Sequence, residues 1–173
     1  MAKGKDVPGM IMYQLYGALS NEDQVRIFEK TPEGIRKVVF CTNIAETSLT
    51  IDNIGFVIDC GFVKQKTYNP KTNMDSLVTI PISKVQSIQR KGRAGRTQEG
   101  KCLRLYAEKF YEEMRDFSLP EILRVSLSSV VLTLKSMKIK NVIDFEYMES
   151  PDKEAIFKAL GDLFLLGALN SDG

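Results

Sequence analysis

Short apolar runs alternate with helical patterns over the first two thirds of the chain. This alternation is typical of an α/β layer with a mainly parallel sheet. The runs are rich in β-branched and aromatic residues and are bounded by polar residues or glycine, so we expect buried strands. The predicted strands are Met10–Tyr16, Ile35–Cys41, Ile54–Cys60 and Lys101–Tyr106.

Two capping patterns predict where helices begin in this layer. Ser20 is followed by Asp23 three residues later, and Ser83 is followed by Gln86 at the same distance. Such pairs satisfy the free N–H groups of a first helical turn. Between the two helices, the stretch 62–82 has two β-prone arms around the turn-rich sequence "NPKTN", which predicts a β-hairpin.

After Pro120 the pattern becomes helical. Apolar residues recur at helical spacing from Ile122 to Leu134, and Ser150-Pro151 is predicted to cap a second amphipathic helix. The final stretch "LGALNSDG" is predicted to be a strand entering a turn. We therefore expect a compact helical appendage after the α/β layer.

Composition excludes several classes of protein. The 173 residues fit one domain with a small appendage, and no apolar run approaches the roughly 20 residues of a membrane helix. The chain has no histidine, which removes the commonest general base and metal ligand. Cys41, Cys60 and Cys102 are odd in number and far apart, so we interpret them as small core residues in a reducing compartment.

The charges are unevenly distributed along the chain. Between Lys84 and Lys109 there are eight basic residues and two acidic ones, whereas residues 141–173 contain seven acidic and two basic residues. The net charge of +2 hides this asymmetry. The middle of the chain therefore favours an anionic ligand.

The sequence "QRKGRAGR" concentrates basic residues in the predicted helix that follows Ser83. Helical spacing would place Gln89, Arg93 and Arg96 on one face, with Arg90 pointing elsewhere, toward solvent or another partner. Two guanidinium groups and a carboxamide on one patch suit a phosphorylated ligand. The alternative is a solvated basic helix face, although two glycines within a helix call for a packing or functional reason.

The sequence "TNIAETSLTID", residues 42–52, directly follows a predicted strand. In open α/β sheets, ligands bind at the carboxyl ends of strands. Hydroxyl and amide groups at such a position can hold nucleic-acid phosphates, and a carboxylate can accept from a ribose hydroxyl. The alternative is that these Ser and Thr residues only cap helices and fill turns.

These stretches carry a resemblance to a known family. In their order and spacing, "TNIAETSLTID", "GFVKQKTYNP", "PISK", "QRKGRAGRT" and "GKCLRLY" resemble the C-terminal RecA-like domain of the DEAH-box RNA helicases of superfamily 2. The likeness runs from about Tyr13 to the end of the chain. It implies an N-terminally truncated RecA-like domain over residues 1–116, with a parallel sheet flanked by helices and a β-hairpin insertion. Residues 117–173 resemble part of a winged-helix domain.

The resemblance also implies roles for individual residues. Gln89 would position the attacking water, and Arg93 and Arg96 would be arginine fingers. The hairpin would part RNA strands or, alternatively, have no role. Lys91 stands where the family usually has alanine. The residues implied to contact RNA are Thr42, Asn43 and Arg90. The residues implied to contact the nucleotide are Phe28, Ser48, Thr50 and Asp52. Phe28 would stack on the base, or alternatively be a core residue, and Asp52 would meet the ribose. Ser48 and Thr50 would link the RNA and nucleotide sites.

The sequence contains neither a GxxxxGK[ST] motif nor a DExx box. The resemblance therefore implies that ATP and Mg²⁺ are bound together with the N-terminal RecA-like domain of the same protein, and that this chain alone is inactive. RNA and a glycine-rich activator protein are the other expected partners, in the nucleus or cytoplasm and without a membrane. The alternatives are a non-enzymatic RNA-binding or docking module and another superfamily 2 helicase, such as a viral DExH type.

Overall fold

The computed structural model describes residues 9–47, 49–95 and 99–170 of the chain. These residues form two compact units. The first unit runs to Val63 and resumes over Pro81–Phe117, and the second contains Lys64–Ile80 and the residues from Ser118 onward. In chain order the strands are β1 (Gly9–Leu15), β2 (Ile35–Cys41), β3 (Phe56–Asp59), β4 (Phe62–Asn69), β5 (Met74–Pro81) and β6 (Lys101–Arg104). The α-helices are α1 (Asn21–Phe28), α2 (Ile44–Thr47), α3 (Lys84–Lys91), α4 (Glu108–Glu112), α5 (Ser128–Ser136) and α6 (Lys153–Leu165), with a 3₁₀ helix at Glu121–Leu123.

Parallel strand pairs form the framework of the first unit. Strand β1 pairs with β2 from Gly9 opposite Ile35 to Leu15 opposite Cys41, and β3 pairs in parallel with β6. Parallel strands need a crossover connection, and α1 supplies it between β1 and β2. The predicted α/β class with a parallel sheet and flanking helices is confirmed.

Helix α1 begins and ends as its sequence predicts. The Ser20 hydroxyl accepts a hydrogen bond from the Asp23 backbone N–H at 3.2 Å, and Ile27 is fully buried. At the other end, the Lys37 ammonium on β2 donates to the Ile27 carbonyl at 2.8 Å and to the Glu29 carbonyl at 2.5 Å. A cation at the C-terminal carbonyls of a helix stabilises it.

The strands are less buried than predicted. Phe40 on β2 and Phe56 and Ile58 on β3 are exposed, whereas Leu15 on β1 is buried. Successive side chains of a strand point to opposite faces, and only one face is packed among the described residues. The prediction that the cysteines are core residues is also wrong, because Cys41 and Cys60 are exposed and Cys102 is partly exposed.

Strands β4 and β5 form the predicted hairpin. Four residues join the strands, and Asn73 at the end of this turn has a positive φ of 56°. In the second unit, the Arg124 carbonyl accepts from the Tyr68 N–H at 2.8 Å and the Arg124 guanidinium donates to the Lys66 carbonyl at 3.0 Å. These two bonds fix Arg124 against the outer part of β4.

Helices α5 and α6 enclose the core of the second unit. Asp152 caps α6, since its side chain accepts from the Glu154 N–H at 3.0 Å, so the predicted cap at Ser150-Pro151 is wrong by one residue. The predicted strand after α6 is also wrong over residues 166–170, which form a turn. Gly167 has a φ of 71°, which favours the observed helix end; residues 171–173 lie outside the described residues. The buried core residues are Leu127, Val131, Leu134, Val142, Ile156, Ala159 and Leu163.

Candidate functional site

Helix α3 begins with a complete capping box and ends earlier than predicted. The Ser83 hydroxyl accepts from the Gln86 N–H at 3.2 Å, and the Gln86 side-chain oxygen accepts from the Ser83 N–H at 3.0 Å. The helix stops at Lys91, with Gly92 as its C-cap. Glycine is costly within a helix, and Gly95 has a φ of 89° that other residues rarely adopt.

The prediction of one helical face that carries Gln89, Arg93 and Arg96 is therefore wrong. Gln89 lies in the last turn of α3, and Arg93 lies in the turn beyond it. Arg96 is outside the described residues. Its relation to the other two side chains remains a prediction.

Arg93 connects the end of α3 to the segment 42–52. Its guanidinium donates to the Leu49 carbonyl at 3.3 Å, and its Nε donates to the Gln89 carbonyl at 3.4 Å. Both Gln89 and Arg93 are half-buried. The two stretches that sequence analysis singled out therefore meet, although 44 residues separate the two bonded groups along the chain.

The segment 42–52 presents polar groups where β2 ends. The Thr42 N–H donates to the Leu15 carbonyl at 3.0 Å, which continues the strand ladder by one bond, and α2 follows. Thr42, Asn43, Thr50 and Asp52 are exposed, as contact with a ligand requires. Ser48 lies outside the described residues. The roles of all five residues remain predictions.

Arg90 was predicted to point toward solvent or another partner, and it points toward a partner within the chain rather than toward solvent. Its side chain is only 15% exposed and lies between two carboxylates. Nη2 and Nε contact Glu46 Oε1 at 2.7 and 2.8 Å, and Nη1 contacts Asp59 Oδ1 at 2.8 Å and the Phe62 carbonyl at 3.2 Å. Arg is suited to this position because its planar fork can serve two acceptors at once.

The remaining oxygens of the two carboxylates are also hydrogen-bonded. The Gln86 side-chain amide donates to Glu46 Oε2 at 3.1 Å, and the Tyr106 hydroxyl donates to Asp59 Oδ2 at 2.9 Å. Because that hydroxyl proton points to Asp59, the Tyr106 oxygen accepts from Ser87, whose hydroxyl is 2.8 Å away. We call these six residues the Arg90 network: Glu46, Asp59, Gln86, Ser87, Arg90 and Tyr106.

Gly61 allows the chain to turn beside this network. Its φ is 80°, and a Cβ at this position would lie 2.7 Å from the Tyr106 ring. The Gly61 N–H donates to Asp59 Oδ1 at 3.0 Å, and its carbonyl accepts from the Ile82 N–H at 3.0 Å. The N–H and the carbonyl of Gly61 therefore fix Asp59 and Ile82, the residue before the N-cap of α3.

Phe28 ends α1 and is 45% exposed, so the alternative of a core residue is wrong. The predicted stacking on a base is untested. No functional role was predicted for Glu46, which is one of the polar residues of segment 42–52, or for Asp59 and Tyr106. The available signal for the two carboxylates was an acidic residue directly after apolar residues, Glu46 after Ile44-Ala45 and Asp59 at the end of "FVID".

The described residues contain no group of three or more Cys, Asp or Glu residues arranged to hold a metal ion. Within the same ranges, no helix is both long and apolar enough to cross a membrane.

A family model matches a little over half of the chain, and individual relatives match nearly all of it. A family model for the helicase conserved C-terminal domain matches residues 2–98. The chain is 50% identical over 171 residues to the pre-mRNA-splicing factor ATP-dependent RNA helicase prp22 of Schizosaccharomyces pombe, covering 98% of this chain and 15% of that protein. It is 45% identical over 169 residues to the pre-mRNA-splicing factor ATP-dependent RNA helicase DEAH10 of Arabidopsis thaliana, covering 98% of this chain and 24% of that protein.

A solved structure shows the same fold. The Escherichia coli DEAH/RHA helicase HrpB matches with a TM-score of 0.86 and 37% identity, over 94% of this chain and 21% of that chain. The chain thus spans between 15% and 24% of the length of these three proteins.

Proposed function

Because this chain belongs to the family of helicase conserved C-terminal domains, we propose that it is the second RecA-like portion of an ATP-dependent DEAH-box RNA helicase. Residues 1–116 form that portion, and residues 117–173 begin a winged-helix domain. The likeness to two ATP-dependent RNA helicases over 98% of the chain supports this proposal.

The observation that carries the proposal is the contact between Arg93 and Leu49. It places a permanently charged guanidinium beside the polar segment 42–52, at the carboxyl end of β2. An anionic triphosphate matches a guanidinium and a neighbouring carboxamide, and Arg93 and Gln89 supply these groups. Charge development on a transferred phosphoryl group is stabilised by such an arginine.

The other predicted residues complete the proposed division of roles. Arg96 is the second finger, Phe28 stacks on the base, Asp52 meets the ribose, and Ser48 and Thr50 link the nucleotide and RNA sites. Thr42 and Asn43 bind the RNA backbone. We do not propose Arg90 as an RNA contact, because its donors point to Glu46, Asp59 and the Phe62 carbonyl.

The proposed partners follow from this division of roles. ATP and Mg²⁺ bind between this chain and the N-terminal RecA-like domain of the same protein. Mg²⁺, when bound, neutralises phosphate charge. RNA is the substrate, and a glycine-rich activator is a further proposed partner.

The test uses the full-length protein and the substitution Arg93→Ala. We expect RNA-stimulated ATP hydrolysis to fall by at least roughly a thousandfold, while RNA affinity stays within about twofold because phosphate binding is left to segment 42–52. Arg115→Ala is the matched control, since Arg115 is exposed and its side chain has no ion pair with a described residue.

Two results would contradict the proposal. One is RNA-stimulated hydrolysis that survives Arg93→Ala at the wild-type rate. The other is ATP turnover above background by the purified 173-residue chain, which would show that hydrolysis does not need the N-terminal RecA-like domain.

A further inference from the structure

The Arg90 network joins segment 42–52, where we assign Thr42 and Asn43 to RNA, with the end of α3, where we assign Arg93 to the nucleotide. The inference therefore rests on the proposed function. Glu46 lies on α2 within segment 42–52, and Arg90 lies on α3, one turn before Arg93. Along the chain, 44 residues separate Glu46 from Arg90.

The link between α2 and α3 is both buried and charged. The Glu46 side chain is 8% exposed and receives three donors from α3, two from Arg90 and one from Gln86. Gln86 is itself fixed, because its oxygen closes the capping box with Ser83. Buried ion pairs with satisfied partners are costly to separate, so α2 and the start and end of α3 are held in one arrangement.

Asp59 extends the same arrangement to the end of β3. It is fully buried and shares Arg90 with Glu46, so one cation faces two carboxylates. The Asp59 oxygens also accept from Gly61 N–H and the Tyr106 hydroxyl. A displacement of α2 that keeps the bonds between Glu46 and Arg90 therefore moves the Arg90 side chain relative to Asp59.

We propose that Arg90 is a positioning residue that transmits RNA binding at segment 42–52 to the nucleotide-facing end of α3. A shift of α2 on RNA binding moves Glu46, Arg90 follows Glu46, and the turn that carries Arg93 follows Arg90. Arg90 touches neither ligand. Its contribution is the coupling between the two sites.

The experiment measures coupling in the full-length protein, as the ratio of RNA-stimulated to basal ATP turnover. Arg90→Lys keeps the charge but loses the planar fork, so one ammonium cannot replace the contacts to both carboxylates. We expect the ratio to fall at least about fivefold, the lower end of typical allosteric coupling. Basal turnover per folded molecule and RNA affinity without nucleotide should stay within about twofold. Arg115→Lys is the matched control.

Glu46→Gln is the second variant and covers the case in which Arg90→Lys loses its fold. It preserves side-chain volume and leaves Arg90 balanced by Asp59. A carboxamide in this position must direct its NH₂ group toward either Arg90 or Gln86, both of which are donors. One bond is lost if the NH₂ group faces Gln86, and two are lost if it faces Arg90. We expect the same fall in the ratio, with the fold verified by circular dichroism and thermal melting.

Hydrogen exchange supplies a readout that does not depend on turnover. In the wild type, RNA should protect backbone amides of both segment 42–52 and the end of α3. In either variant the protection should be confined to segment 42–52. A merely structural role would instead weaken protection in α3 with and without RNA to the same extent.

Three outcomes would overturn the inference. The first is a ratio unchanged within about twofold while both rates fall together, which indicates a stability effect only. The second is weaker RNA binding by Arg90→Lys with a shallower salt dependence, which indicates a direct phosphate contact. The third is RNA protection of α3 in both variants as in the wild type. A wild-type protein that shows no RNA-stimulated hydrolysis would refute the proposed function, and the exchange result would still decide the coupling.

Discussion

Replacing Tyr106 with phenylalanine tests the energetics of the Arg90 network with the removal of one oxygen atom. The Tyr106 hydroxyl donates to Asp59 at 2.9 Å and accepts from Ser87 at 2.8 Å. Both partners are almost completely buried, at 1% and 0% exposure. The substitution leaves one carboxylate oxygen and one hydroxyl without these bonds, and the ring remains in place.

The expected cost can be estimated from these two bonds. A hydrogen bond to a charged group contributes about 1.5–3 kcal/mol, and an unsatisfied buried hydroxyl costs roughly 1–3 kcal/mol. Partial relaxation of Ser87 reduces the sum, so we expect the free energy of unfolding to fall by about 3 kcal/mol. For a chain of this size that loss lowers Tm by roughly 6–12 °C.

The assay is urea and thermal unfolding of the 173-residue chain, with Tyr111→Phe as the control. Tyr111 lies on α4, and its ring packs against the Arg104 guanidinium at 4.4 Å, while its hydroxyl has no hydrogen bond to a described residue. The control should unfold within about 0.5 kcal/mol of the wild type. Equal losses in the two variants would refute the assignment of the energy to the Tyr106 hydroxyl.

Three further predictions concern titration, backbone strain and the nucleotide base. Burial raises the pKa of Tyr106, and its bond to Asp59 adds to this shift while the bond from Ser87 opposes it. Above about pH 10 the unfolded chain releases the Tyr106 proton while the folded protein still holds it. The stability that Tyr106 adds over the phenylalanine variant is therefore complete below about pH 10. It is lost as the pH rises through the pKa of Tyr106 in the folded protein. Burial also raises the pKa of Tyr147, so absorbance titration at alkaline pH should show Tyr106 and Tyr147 ionising later than free tyrosine. Normal ionisation of both would contradict this expectation. Gly61→Ala should destabilise the chain by at least about 2 kcal/mol, because Gly61 has a positive φ and lies close to the Tyr106 ring. Gly161→Ala should stabilise it by about 0.5–1 kcal/mol, because Gly161 lies in helix α6 with open space around it. Changes of the same sign in urea unfolding of the two variants would contradict this reasoning. Phe28→Ala in the full-length protein should raise KM for ATP about tenfold with kcat unchanged, and an unaltered KM in steady-state kinetics would exclude base stacking.

Features that depend on neighbouring residues were predictable from the sequence. The caps at Ser20 and Ser83 act within three residues, and both are present as predicted. Strand β2 has the predicted bounds Ile35–Cys41, because a β-branched run with polar flanks has few alternatives. The hairpin was also predictable, since its turn residues are adjacent in the sequence.

Features that depend on distant partners were not predictable. Arg90 looked like one more cation in a basic run, because nothing local reveals that Glu46 and Asp59, 44 and 31 residues away, converge on it. The end of α3 at Lys91 was missed for a different reason. A glycine is tolerated inside some helices and terminates others, and the choice at Gly92 depends on the turn that Gly95 adopts.

The exposure of the thiols has a practical consequence for following this molecule in solution. Although Cys41 is exposed as a residue, surrounding atoms partly bury its thiol, and this burial raises the pKa of that thiol, as burial does for Cys102. A raised pKa slows reaction with a maleimide because the thiolate is the nucleophile. Cys60 is exposed and stands between Asp59 and Gly61. The chain therefore carries a natural attachment point for a fluorophore directly beside the paired carboxylates, and no engineered cysteine is needed to report on that region.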